Sequence, residues 1–180
     1  MGDIRPALVA VGMNGEPLPL QHGFPARLIV SGLYGYVSAT KWLTEIELTT
    51  FDEFDQYWVR REWDEEAPIK TMARIDTPRT LGKLTAGTNV IGGVAWAQTR
   101  GISKVEVAID DGEFAEAVLA DEHNVHTWRQ WSLPWNAPIG RHRITVRATD
   151  GTGELQTDQR AEPFPNGASG WMSIFVDVRP

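Results

Sequence analysis

Cysteine is absent from this 180-residue chain, which excludes disulfides, thiolate metal ligands and a thiol nucleophile. The same absence leaves the redox compartment undetermined, and no localisation follows. No stretch approaches the roughly 18 consecutive apolar residues of a membrane-spanning helix, so no membrane contact is expected from this segment. The opening "MGDIRPALVAVG" lacks the basic-then-apolar pattern of a secretory signal. Positive charge is also short: 17 Lys and Arg face 24 Asp and Glu, a net charge of −7. That balance argues against a nucleic-acid partner, which needs a basic surface to displace counterions. A small anion pocket stays possible, because a few cations can converge inside an acidic protein. Missing too are the Gly-x-Gly-x-x-Gly fingerprint, a phosphate loop ending in Gly-Lys-Ser/Thr, Gly-x-Ser-x-Gly and His-Glu-x-x-His.

What is present is apolar enough to fold, with 42% hydrophobic and 23% charged residues. The 17 Gly and 11 Pro, with many Val, Ile and Thr, favour strands and turns over helices. Eight Trp are many for this length, and Trp128, Trp131 and Trp135 fall within eight residues. Such clusters mark a large core or an interface, with each indole N–H in need of an acceptor.

Read along the chain, residues 7–12 predict an apolar strand, and Asn14-Gly15 a hairpin turn, since both residues tolerate positive φ. "RLIV" at 27–30 predicts a short buried strand. "ATKWLTEIELTT" alternates, with Trp42, Thr44, Ile46 and Leu48 on one face, and predicts a half-exposed strand. Phe51, Phe54 and Tyr57/Trp58 then recur at helical spacing, predicting a short helix over 51–57. The charged, Pro-punctuated stretch 63–80 is the candidate boundary, dividing the chain into domains 1–68 and 69–180. Beyond it, strands are expected near 72–76, 88–97, 103–109, 114–119, 125–133, 141–149 and 171–178. "RITVRAT" at 143–149 shows the clearest alternation. Seven short strands with little helical signal predict an immunoglobulin-like sandwich. The fold class is therefore mostly β, with an immunoglobulin-like β-sandwich preceded by a partial α+β segment.

Two constellations bear on chemistry. His123 and His126, beside Asp121 and Glu122 in "DEHNVH", have metal-like spacing but no second cluster to complete a shell, and read as a solvated loop. In "HGFPARLIVSGLYGYVSATKWL", Arg27 and Lys41 bracket a Gly-containing loop with the hydroxyls of Ser38 and Thr40 and with His22 upstream. Glycines let backbone N–H groups approach an anion, and Arg and Lys suit phosphate as fork and point charge. On spacing alone two readings stand: an anion site, or surface charges flanking strands.

The run "MNGEPLPLQHGFPARLIVSGLYGYVSATKWL" resembles the C-terminal part of the molybdopterin-binding domain of the sulfite oxidase family, which reads Asn-Gly, His-Gly-x-Pro-x-Arg, then a Gly-rich loop ending in Lys-Trp-Leu. "WRQW" at 128–131, "ITVRATDGTG" at 144–153 and "NGASGWMSIFVDV" at 166–178 resemble the immunoglobulin-like dimerisation domain that follows in that family. The resemblance implies that His22, Arg27, Ser38, Ala39, Thr40 and Lys41 contact molybdopterin, and that the sandwich forms a homodimer. It implies an arginine near an oxyanion substrate, a place Arg129 could fill; the alternative is an Arg stacked between Trp128 and Trp131. The family binds its metal through a cysteine N-terminal to the matched region, and this chain has none. The expectation is therefore a C-terminal portion of a molybdenum-cofactor oxidoreductase. It would be partnered by the N-terminal part of the same enzyme, not catalytic alone, and would retain no cofactor and no metal by itself. The rival is a non-catalytic immunoglobulin-like interaction module.

Overall fold

Asn14 and Gly15 both take positive φ, +54° and +81°, the requirement of a two-residue hairpin turn. That turn joins β2 (Gly12–Met13) to β3 (Glu16–Pro17), after β1 (Ala7–Ala10). The computed structural model describes residues 6–180. It divides the chain into two units, Met1–Ile69 with Glu162–Gly167, and Lys70–Ala161 with Ala168–Pro180.

In the first unit β1 runs antiparallel to β4 (Arg27–Val30), with Ala7 opposite Val30 and Ala10 opposite Arg27. A one-turn helix, α1 (Gly35–Ser38), leads into β5 (Ala39–Thr40), which pairs with β4 through Leu28–Thr40 and Ile29–Ala39. The result is a three-stranded sheet in the order β1-β4-β5.

Two expectations fail in this unit. The strand expected from the 39–50 alternation stops at Thr40, because Trp42 turns left-handed and no strand among the described residues pairs with the chain beyond it; Leu48 is 96% exposed. Alternation supplies a face, but a strand also needs a partner for its backbone groups. The helix expected over 51–57 is absent. Glu53 and Phe54 N–H both donate to Thr50 O, one turn that goes no further, and a 3₁₀ turn comes next at Val59–Arg61. So short a segment does not hold a helix unless its apolar face is buried, and Phe51 and Phe54 are exposed.

The segment Glu162–Gly167, expected in the second domain, groups with the first unit. The Phe164 ring meets Trp63 edge-on at 5.5 Å, Asp64 N–H donates to Pro165 O, and Asn166 Nδ2 donates to Asp64 Oδ2 at 3.2 Å. Trp63 also contacts Tyr36 and Trp58, making an aromatic cluster.

The second unit is a two-sheet sandwich. Its strands are β6 (Met72–Thr77), β7 (Gly82–Thr85), β8 (Gly87–Trp96), β9 (Ile102–Ile109), β10 (Ala115–Glu116), β11 (Val118–Leu119), β12 (Arg129–Ala137), β13 (Gly140–Asp150) and β14 (Met172–Arg179). One sheet has the order β10-β9-β13-β14-β7, the other β11-β12-β8-β6. The alternation of β13 is realised in full: Ile144, Val146 and Ala148 are buried, and they pack with Ile91, Val105, Val107, Trp131 and Val176. Burying each of the larger aliphatic side chains is worth about 1.5–3 kcal/mol. The stretch expected as one strand over 114–119 splits at buried Ala117, with β10 in one sheet and β11 in the other. The strand expected at 125–133 begins later, at Arg129, because Asn124 closes a turn: its Oδ1 accepts from His126 N–H and its carbonyl from Thr127. β7 carried no clear signal, and joins the sheet parallel to β14.

Candidate functional site

Gly23 is the pivot of the candidate anion site. It follows the 3₁₀ turn Leu20–His22 with φ +112°, and a Cβ there would lie 3.2 Å from the Cβ atoms of both Arg27 and Lys41. A side chain there would be tight against both residues, and the left-handed φ itself favours glycine. The β4–β5 register, continued one step past Leu28–Thr40, places Arg27 opposite Lys41. His22 lies between two residues that touch the pair, since Lys41 Nζ donates to Gln21 O at 2.8 Å and Gly23 packs on both. The corner is closed by Trp42 Nε1–H donating to Leu20 O at 3.0 Å and by Leu43 N–H donating to Ala26 O at 2.9 Å.

The structure thus places Arg27 and Lys41, fourteen residues apart in sequence, against one turn, in which His22 stands between Gln21 and Gly23. The Arg27 Nε–H is buried and has no hydrogen-bond partner among the described residues. A buried donor without an acceptor is costly, so its natural complement is an acceptor from outside the chain. The remaining expected residues lie alongside. Ser38 is buried in α1, Ala39 is half-buried in β5, and Thr40 is exposed.

Thr40 also lines a cleft of about 620 Å³ within the first unit, walled by Tyr36, Val37, Phe51, Phe54 and Gln56. Gln56 Oε1 accepts from Trp58 N–H, while its Nε2 is buried without a partner among the described residues. Gly23, Trp42 and Gln56 are the residues to which the sequence analysis gave no site role. Gly23 could have been found from its place between a histidine and an arginine in a Gly-x-Pro turn; Gln56 carries no local signal.

Arg129, in the second unit, pairs with Glu122 at 3.2 Å, and its Nε is buried without a partner among the described residues. The guanidinium stacked over Trp128 belongs to another arginine, Arg74, at 4.8 Å. Trp131 enters the core and its indole Nε1, expected to find an acceptor, has none among the described residues. His123, His126 and Asp121 do not assemble with Glu122: among the described residues, no group of three or more His, Asp or Glu is placed to hold a metal. No helix among the described residues is long and apolar enough to cross a membrane.

The described residues thus form a small three-stranded sheet carrying a cation-lined turn, and a two-sheet β-sandwich. Residues 1–58 match the oxidoreductase molybdopterin binding domain family. The mitochondrial sulfite oxidase of Rattus norvegicus is 29% identical over 204 residues, spanning 96% of this chain and 36% of that protein. A nitrate reductase (NADH) of Solanum lycopersicum is 26% identical over 196 residues, spanning 88% of this chain and 21% of that protein. Among solved structures, the sulfane dehydrogenase SoxCD of Paracoccus pantotrophus superposes with a TM-score of 0.74 at 22% identity, covering 96% of this chain and 49% of that one. Over nearly its whole length the chain is thus similar to the sulfite oxidases, and its first third matches a molybdopterin-binding family. It spans about a third of the length of the mammalian sulfite oxidase it matches.

Proposed function

We propose that this chain acts as the C-terminal portion of a molybdenum-cofactor oxidoreductase, supplying one wall of the cofactor pocket and a dimer-forming sandwich. The observation that carries the reading is the unpartnered, buried Nε–H of Arg27 beside Lys41 and the Gly23 turn. These groups fit an anionic cofactor: His22, Arg27 and Lys41 would hold its phosphate, with Thr40 and the backbone of Ser38 and Ala39 alongside. Charge-assisted hydrogen bonds from a fork and a point charge fix orientation as well as affinity. When bound, molybdopterin carries the metal that exchanges an oxygen atom and electrons with a small substrate. The chain's own residues bind and orient; with no cysteine, the thiolate for the metal has to come from other polypeptide.

For Arg129, the ion pair to Glu122 supports a structural role, and contact with an oxyanion substrate would require that pair to open. The sandwich is proposed to pair with a second copy, and the first unit with the N-terminal part of the same enzyme.

The test is purification of the chain from a host that makes the cofactor. The expected sample is a dimer by mass, without stoichiometric molybdenum and without sulfite turnover. It binds inorganic pyrophosphate at low salt, and Arg27→Ala or Lys41→Ala weakens that binding at least tenfold. Stoichiometric molybdenum with turnover overturns the division of labour. Pyrophosphate binding indifferent to both substitutions overturns the cofactor wall and favours the interaction-module reading.

A further inference from the structure

Trp42 holds a backbone conformation that bulky residues rarely adopt, φ +55°, although its side chain is 58% exposed. Core burial is therefore not what keeps the indole in place. What holds it is directional: Nε1–H donates to Leu20 O at 3.0 Å. The preceding residue does the same one step along, with Lys41 Nζ on Gln21 O at 2.8 Å. Two consecutive side chains thus grip two consecutive carbonyls of the Leu20–His22 turn. An ammonium has three N–H donors, so the Gln21 contact leaves two on Lys41 for a ligand.

The consequence for the site is geometric. Without the Trp42 grip, the corner keeps the Leu43 N–H bond to Ala26 O but loses its side-chain anchor on Leu20 O, and Lys41 gains freedom to swing away from the Gly23 turn and Arg27. We propose that Trp42 is a positioning residue of the anion wall, acting through Lys41 and touching no ligand itself. This inference rests on the cofactor-wall reading above.

It is tested with the full chain by titrating inorganic pyrophosphate at low ionic strength and following amide and indole resonances. Trp42→Phe keeps an aromatic ring and deletes the donor. The expected result is about fivefold weaker binding, the worth of one hydrogen bond. In a Lys41→Ala background the same change is expected to cost less than twofold. Were Trp42→Phe to lose its folded spectrum, replacing Trp42 by benzothienylalanine, which matches the indole in shape but lacks the N–H, makes the same comparison. Affinity unchanged on loss of the donor overturns the proposal, as does equal weakening with and without Lys41, which would mean general loosening. A wild-type chain that binds no pyrophosphate overturns the cofactor-wall reading, and this inference with it. Wild-type binding that Arg27→Ala abolishes but loss of the Trp42 donor leaves intact overturns this inference alone.

Discussion

Asp150→Asn removes one charge from a fully enclosed polar site of the sandwich, and its effect can be worked out in advance. The Asp150 side chain has no solvent exposure. Burial by itself would raise its pKa, but Thr152 Oγ1, Arg100 Nε and the Thr152 and Glu154 N–H groups all donate to it and hold it at about 2. Against the ordinary value of 3.8, that depression corresponds to roughly 2 kcal/mol of stability at neutral pH. Because the folded-state value is lowered, the contribution is complete above about pH 5 and is lost as pH falls through about 2. Asn keeps the shape but leaves Arg100 without its counter-charge; that side chain is 32% exposed, so water screens part of the loss. The expected cost at pH 7 is about 2–3 kcal/mol, a fall in urea midpoint of about 1–2 M. Urea unfolding followed by Trp fluorescence between pH 7 and pH 2.5 gives both numbers. An unchanged midpoint at pH 7, or a difference from wild type that does not shrink with acid, refutes the reasoning.

Two further outcomes are expected. His142 presents both ring nitrogens to acceptors, Nδ1 to Asp110 Oδ2 at 2.6 Å and Nε2 to Pro138 O at 2.9 Å, and the Asp110 hydrogen bond chiefly raises its pKa above the ordinary value. Its contribution is therefore complete below about pH 6.5 and lost as pH rises through the folded-state value, so His142→Gln should destabilise more at pH 6 than at pH 9; a proton-NMR titration of His142 at or below 6.5 would contradict this. Gly23→Ala places a Cβ against Arg27 and Lys41 at φ +112° and should destabilise the first unit by about 1–3 kcal/mol, seen as earlier loss of its amide protection in hydrogen exchange. Protection equal to wild type would mean that the turn is not held as described.

The sandwich was legible because its strands meet two conditions together. β13 alternates, and it has β9 and β14 on either side to accept its backbone. Residues 42–48 alternate as clearly but lack the second condition, so the same signal pointed to a strand that does not exist. Sequence spacing likewise could not bring Arg27 to Lys41. That proximity depends on the β4–β5 register and on a glycine whose value is the atom it lacks. The aromatic spacing at 51–58 was real, but those rings line a cleft and cluster on Trp63 rather than a helix face. The ordered family resemblance is what links His22, Arg27 and Lys41 to one ligand, a link that residue spacing does not supply.

The central claim is that the His22–Lys41 corner is an anion wall. Its most direct test is an amide-resolved NMR titration of the whole chain with pyrophosphate at low ionic strength. The account predicts saturable shifts centred on His22, Gly23, Arg27 and Lys41 and absent from the β-sandwich. Shifts centred on Arg129, or spread over the surface without saturation, would contradict it.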